Sequence, residues 1–503
     1  MMKRLHLLVF VFLFFLTASV TMAQDNTLYS EPYRPQYHYS PPCGWMNDPN
    51  GMVYYEGEYH LFYQFNPKDI FPGPMHWGHA VSPDLMHWEN LPIALYPDEI
   101  GPIWSGTVVV DDRNTSGLVP GGGLVAIYSY QNQSQGVAAS MDRGRTWVKY
   151  DGNPVIDALE KDFRDPKVFW HEATNQWVMI IAVGQKAQFF TSPNLLDWEL
   201  VSSFAEGHLA GVWEVPDIFP MEINGQTKWV LLMSVSTLAP ASGGGVQYFI
   251  GDFDGRTFTN DNPPTTVLWL DYGPDNYAGT TWNNLANRRV YIGWMSNWQY
   301  AGSTPTAQWR GAMTLPRVLQ LVETADGIRL AQSVAEEAAA LRQPLGQWDA
   351  QALEGEWVVP DVHGRRLEII AEFEVGTAER LGMDVQSNGT DRTRIVYNPA
   401  RSQLLIGRSD TVDGSTIPSF NPAFGAPLRD TRLKLHIFVD ESSVEVLAQD
   451  GLISLSAQTF VNPASDGLRL FAENGSAQLT HLEVYALDEI WAAARTQPLD
   501  LCG

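Results

Sequence analysis

Cysteine is almost absent from this chain: 503 residues hold two, Cys43 and Cys502. A disulfide-stapled scaffold needs several pairs, and a chain of this length buries enough apolar surface to fold without one. Two free thiols, or one bridge tying Cys502 to the region of Cys43 in an oxidising compartment, are both open. Positive charge is scarce as well. Lys and Arg number 32 against 57 Asp and Glu, a formal net charge of -25, which repels phosphate backbones and anionic lipid and argues against nucleic acid or a membrane surface as partner. Helix signals are missing from about Tyr37 to Pro316, where no convincing amphipathic pattern occurs. Ligand-cradle signals are missing too. Gly121-Gly122-Gly123 and Gly243-Gly244-Gly245 lack a following Lys-Ser/Thr and helix. His76 and His79, at an odd separation, fall on opposite faces of a strand and make a poor metal pair. No metal and no cofactor is expected, and nothing speaks for a particular oligomeric state.

Long apolar runs are confined to one place. Leu5 to Val20 is apolar apart from His6, Thr17 and Ser19, preceded by the basic Met1 to Arg4 and followed by the small-residue site Thr21-Met22-Ala23. That order reads as a signal peptide over residues 1–23, cleaved on export to the periplasm or the exterior. The run is short for a membrane span, and no Cys follows it to carry a lipid.

What the chain has in quantity is aromatic residues and short β-rich runs. Its 18 Trp suit stacking on sugar rings, although Trp is equally core material. Runs such as Gly51 to Tyr55 and Tyr59 to Phe65, broken by Gly, Pro, Asn and Asp, predict strands joined by turns. One phrase recurs: Ser82-Pro83-Asp84-Leu85-Met86-His87-Trp88, Ser140 to Trp147, Ser192 to Trp198, and Gly251 to Phe258. Its period of roughly 50 to 60 residues is that of a four-stranded propeller blade, and the region holds about five such units. The phrase marks an outer-strand hairpin whose closing Trp88, Trp147 or Trp198 packs between blades. The expected architecture is all-β: a five-bladed β-propeller over residues 24–331, a linker helix over 332–345 and a β-sandwich over 346–488, with a tail over 489–503. The linker rests on the helix-forming run before Pro344. The sandwich rests on period-two strands with hairpin signals at Asp450-Gly451 and Asn474-Gly475.

Three acidic motifs fall in the propeller portion: Asn47-Asp48-Pro49, Arg164-Asp165-Pro166 and Glu214-Val215-Pro216-Asp217. Each adjoins an apolar run in a different predicted blade, so equivalent placement would bring the acids to one mouth of the channel. Asp48-Pro49-Asn50-Gly51 is also a strong turn sequence, which would bend the backbone and face Asp48 toward that mouth. A pair of carboxyl groups, one ionised to attack an anomeric carbon and one protonated to release the leaving oxygen, is what glycoside hydrolysis requires.

These motifs, in this order, resemble glycoside hydrolase family 32, the invertase, inulinase and levanase family. Trp45 to Gly51, Trp77 to Ser82, Trp104 to Thr107 and Val439 to Val446 also look like family phrases. The resemblance implies Asp48 as nucleophile, Glu214 as general acid/base and Asp165 as transition-state stabiliser. It further implies Asn47, Gln64, Trp77, Trp104, Ser105 and Arg164 as lining residues of a fructose pocket. Trp298 is the candidate wall of that pocket, whereas Trp294 is expected in the core and Asp217 in a structural role. Val215 departs from the family, which commonly has Cys there. The texture around Gly293 to Tyr300 and Trp309 to Arg317 looks like exo-acting levanases and inulinases. The implied activity is release of terminal fructose from levan, inulin or sucrose with retention, through a covalent fructosyl-enzyme. A fructosyltransferase sharing that intermediate, and a non-catalytic fructan-binding protein, are the alternatives.

Overall fold

The computed structural model describes residues 28–157, 160–412, 414–496 and 501–502. The proposed signal peptide lies outside them.

Five antiparallel sheets follow one another along the chain. Blade I comprises Gly44–Tyr55, Glu58–Asn66, His76–Ser82 and Glu89–Leu95; blade II begins with Ile103–Val110, blade III with Phe163–His171, blade IV with Trp213–Ile223 and blade V with Tyr277–Thr281. In each blade the first strand is innermost. Each innermost strand touches the next, and that of blade V touches that of blade I, so the ring is closed. Closure is reinforced where Trp309–Arg310 pairs in parallel with Gly44 and Trp45. A closed ring leaves few exposed strand edges, which is how a chain so rich in apolar strands avoids edge-to-edge association. The recurring phrase occupies the turn between third and fourth strands in blades I to III. There Asp84, Asp142 and Asn194 accept backbone N–H bonds from the turn. Trp147 and Trp198 close their turns by donating to Gly144 O and Leu195 O, both at 3.0 Å.

The expected bend at Asp48 to Gly51 takes another form. Residues 44–55 are one continuous strand, bulged twice against its neighbour, between Met46 and Pro49 and again between Asn50 and Val53. A bulge supplies the bend without ending the strand. Gly51 is needed there, because it sits at φ 59° and a Cβ would come within 2.7 Å of the Phe62 ring.

The linker is also different from expectation. Pairing of Gly327–Val334 with Arg317–Thr324 runs through residue 334, and a new ladder begins where Arg342 pairs with Leu487. Only residues 335–341 are left, of which Glu336–Leu341 form a short 3-10 helix whose Ala338 and Leu341 are buried. Ladders on both sides claim the backbone a longer helix would use. Beyond it, the long strands Arg342–His363 and Gly467–Leu487 pair with each other and join the two halves of a sandwich. Gly467–Leu487 pairs with Arg380–Ser387 near its start and Leu367–Glu374 near its end. Alternate residues such as Leu433, Leu435, Ile437 and Val439 fill the core between the two.

The sandwich is fastened to the propeller by buried charge. Arg317 donates to Glu445, and His38 lies 2.8 Å from both Asp440 and Glu445. Cys43 and Cys502 are joined by a disulfide with a Cα–Cα distance of 6.0 Å, so the tail beside Ile490 and Trp491 is strapped next to the first strand of blade I.

Candidate active site

The bulge in blade I is not isolated. The innermost strand of every blade carries a register shift at the same level: around Asn47 and Asp48, Trp104 and Ser105, Asp165 and Pro166, Val215 and Pro216, and Ala278 and Gly279. Regular pairing would turn alternate side chains into the blade on either side, and the bulge re-aims them into the channel mouth. The result is a cavity of about 680 Å³ lined by Asp48, Asp165 and Glu214 together with Asn47, Gln64, Trp104, Ser105, Arg164 and Trp298.

Asp48 has one donor on each oxygen. Asn47 Nδ2 donates to Oδ1 at 2.9 Å and Ser105 Oγ to Oδ2 at 2.7 Å. Asn47 is itself fixed by Trp45 Nε1, which donates to its Oδ1 at 2.7 Å. Burial pushes the Asp48 carboxyl up to about 6; the Asn47 and Ser105 donors oppose this, and the charge of Glu214 adds to it. Asp165 is buried, at φ 64°, a backbone region that Asp tolerates better than most residues. Its Oδ2 accepts from Val215 N at 3.1 Å and lies 3.9 Å from Arg164 Nε. Burial pushes Asp165 up to about 7. The neighbouring Arg164 charge holds it down, and the charges of Asp48 and Glu214 push it further up. Glu214, partly exposed to the cavity, accepts from Arg164 at 2.8 Å on Oε1 and from the Tyr277 hydroxyl on Oε2. Arg164 also donates to Asp162, so its guanidinium bridges two carboxylates.

Three carboxyl groups stand in one cavity, each with a different donor set, and burial pushes two of them, Asp48 and Asp165, well above the usual carboxylate range, as happens in sites of acid/base chemistry. Gln64 lines the cavity with a buried Nε2 that has no partner among the described residues, a free donor for a hydroxyl. Trp298 is 45% exposed and stacks on Trp45 with ring centroids 5.7 Å apart, an aromatic face offered to the cavity.

One expected lining residue does not reach the surface. Trp77 is fully buried and packs with Phe62, Tyr128 and other residues between blades I and II. It lies on the third strand from the axis, so it sits behind the wall and donates from Nε1 to Trp104 O at 2.9 Å. Trp294 is in the core. Asp217 is buried and does not line the cavity. Sequence reasoning missed Tyr277, Asp162, Gln131 and Gln133, the last three of which line the cavity. Tyr277 holds in the ladder of blade V the place that Glu214 holds in blade IV, directly before the bulge.

Comparison with known proteins agrees with this geometry. Residues 38–333 match the N-terminal domain of glycosyl hydrolases family 32, and residues 335–486 match its C-terminal domain. The chain is 45% identical to a levanase of Bacillus subtilis (strain 168), over 98% of this chain and 76% of that protein. It is 37% identical to an extracellular exo-inulinase of Aspergillus awamori, over 92% of this chain and 96% of the relative. The crystal structure of an exo-inulinase from Aspergillus awamori superposes with a TM-score of 0.87 at 36% identity, covering 92% of this chain and all of that one. A β-fructofuranosidase from Schwanniomyces occidentalis complexed with fructosyl-erythritol gives 0.83 at 29% identity, covering 92% of this chain and 99% of that one. Matches that take in both domains, at such identities and nearly end to end, mean that this chain belongs to glycosyl hydrolase family 32 and is a glycoside hydrolase.

Proposed function

We propose that the enzyme is a retaining exo-β-fructosidase that releases terminal fructose from levan or inulin, and from sucrose, outside the cytoplasm. The observation that carries this reading is the division of labour among the carboxyl groups. Asp48 has both oxygens supported by neutral donors, which orients it as a nucleophile toward the anomeric carbon of a bound fructosyl unit. Glu214 is partly exposed on the opposite part of the ring and is aimed by Arg164 and Tyr277, as a proton donor to the leaving oxygen must be. Asp165, beside Arg164, accepts sugar hydroxyls while positive charge develops on the ring.

The steps follow from these placements. Asp48 bonds to the anomeric carbon as the glycosidic C–O bond breaks, and the Glu214 proton passes to the departing oxygen. Glu214, now a carboxylate, takes a proton from water, whose oxygen displaces Asp48 and restores the original configuration. The names of the relatives support the substrate class, two of them being a levanase and an exo-inulinase. Among the described residues no helix is long and apolar enough to cross a membrane.

Product chromatography on sucrose, inulin and levan, with a proton NMR time course, tests the reading. Free fructose as the early product, first seen as the retained anomer, is expected. Early mixed oligosaccharides would make the enzyme endo-acting, and longer products at high sucrose would make it a transferase. Binding without turnover would leave a fructan-binding protein.

A further inference from the structure

One layer below the cavity lies an ion pair that the chemistry above does not use. Lys167 and Asp217 are both buried and neither lines the cavity. Lys167 Nζ is 3.4 Å from Asp217 Oδ2 and donates to Thr280 Oγ1 at 3.0 Å and to Thr281 O at 2.6 Å. The same Asp217 oxygen accepts from Thr281 N at 2.7 Å, Thr281 Oγ1 at 2.8 Å and Thr280 Oγ1 at 3.2 Å. These residues come from the innermost strands of blades III, IV and V, so the node is a cross-link between three blades.

Its position relative to the site is regular. Lys167 follows Asp165 by two residues, Asp217 follows Glu214 by three, and Thr280 follows Tyr277 by three. In each interval the strand's pairing with its neighbour is broken by a bulge. At a bulge the ladder no longer dictates where a residue sits. Within these intervals Val215 is at φ 45° and Ala278 at φ 53°, conformations that persist only where the surroundings over-determine them. The innermost strands of blades III, IV and V lie in separate sheets, so side-chain bonds must set their relative heights at this level. The pair is tied by five hydrogen bonds, with Asp217 Oδ1 left without a partner among the described residues, and such directional bonds fix relative heights where apolar packing tolerates sliding.

We propose that Lys167 and Asp217 are positioning residues that hold Asp165, Glu214 and Tyr277 at converging heights around the substrate without touching it. This rests on the reading of Asp165 and Glu214 as reacting groups.

The test is steady-state kinetics of Asp217→Asn and of the milder Thr281→Val, each also built with Tyr277→Phe, with circular dichroism to establish folding. The expected result is a fall in kcat of tenfold or more for Asp217→Asn and of several-fold for Thr281→Val, with KM little changed. In the Tyr277→Phe background the Thr281→Val effect should shrink, because both act on the placing of Glu214. A purely stabilising node would lower the melting temperature and leave kcat of folded enzyme unchanged, which would overturn the proposal. Effects fully additive with Tyr277→Phe would overturn it too. If Asp217→Asn does not fold, Thr281→Val decides, since it leaves no buried charge unpaired. A wild-type enzyme that turns over no fructoside would instead defeat the functional reading itself.

Discussion

Removal of one hydroxyl should move the pH profile of this enzyme. Ser105 Oγ donates to Asp48 Oδ2 at 2.7 Å, one of two side-chain donors on that carboxylate. A hydrogen bond to the charged form favours that form, so Ser105→Ala must raise the Asp48 pKa from its present value of about 6. Hydrogen bonds to charged groups are worth about 1.5–3 kcal/mol, and one pKa unit corresponds to about 1.4 kcal/mol. Because Asp48 faces the cavity, water can partly replace the lost donor, so the expected rise is at the low end, about one unit. As the proposed nucleophile, Asp48 must be ionised to attack, and kcat/KM reports the free enzyme. The acidic limb of kcat/KM against pH should therefore move upward by about one unit in Ser105→Ala, whatever happens to its plateau. An unmoved limb, or one displaced to lower pH, would refute the assignment of that limb to Asp48 and of Ser105 as its partner.

Three other perturbations have definite signs. Burial works against charge on His38, but its bonds to Asp440 and Glu445 outweigh this and hold the imidazole protonated to about 9, against 6.5 when unfolded. The stability this contributes, on the order of 3 kcal/mol, is complete below pH 6.5 and is lost as pH rises through about 9. Thermal melts should show that loss and His38→Gln should flatten it. Asp165 works the other way: with its carboxyl raised from 3.8 to about 7, the fold loses stability as pH rises between those values, and the loss is complete above pH 7. Asp165→Asn should melt higher than wild type at pH 8, by about 2 kcal/mol of stability, while losing at least a hundredfold in kcat. Finally, thiol titration should find no free cysteine before reduction. Reduction of the Cys43–Cys502 bridge should lower the urea midpoint, by an amount equivalent to about 2–4 kcal/mol.

Much of this was legible in the residues because the relevant signals are periodic or local. The propeller could be read from a phrase whose Asp84, Asp142 and Asn194 make the same backbone bonds in successive blades. Lining residues such as Asn47 and Ser105 are implied by the resemblance of Trp45 to Gly51 and of Trp104 to Thr107 to family phrases. What escaped was decided by position within a blade. Trp77 carries the same side chain as a pocket tryptophan but lies three strands from the axis, so it braces Trp104 from behind. Tyr277 sits in no acidic motif, yet its hydroxyl reaches Glu214 because blade V repeats the bulge of blade IV. The linker's helical propensity lost to the two ladders that flank it.

These cases share one cause. Asn47, Asp48, Trp104, Ser105, Arg164, Asp165 and Glu214 enter this cavity at or beside the bulges of innermost strands, and bulges depend on pairing between strands rather than on the residues in one of them. Asp48-Pro49-Asn50-Gly51 illustrates the point, since a tetrapeptide with the composition of a surface turn is drawn into a strand twelve residues long. Pro49 pairs with Tyr63 and Asn50 with Phe62, so the second strand of blade I keeps the segment extended while its irregularities bend it. Turn chemistry thus serves to break register without breaking the strand. In the other four blades the same break falls at Trp104 and Ser105, at Asp165 and Pro166, directly after Glu214, and directly after Tyr277. The chemistry of the site is therefore a property of the ring, assembled from five strands that each fail to pair at one common level.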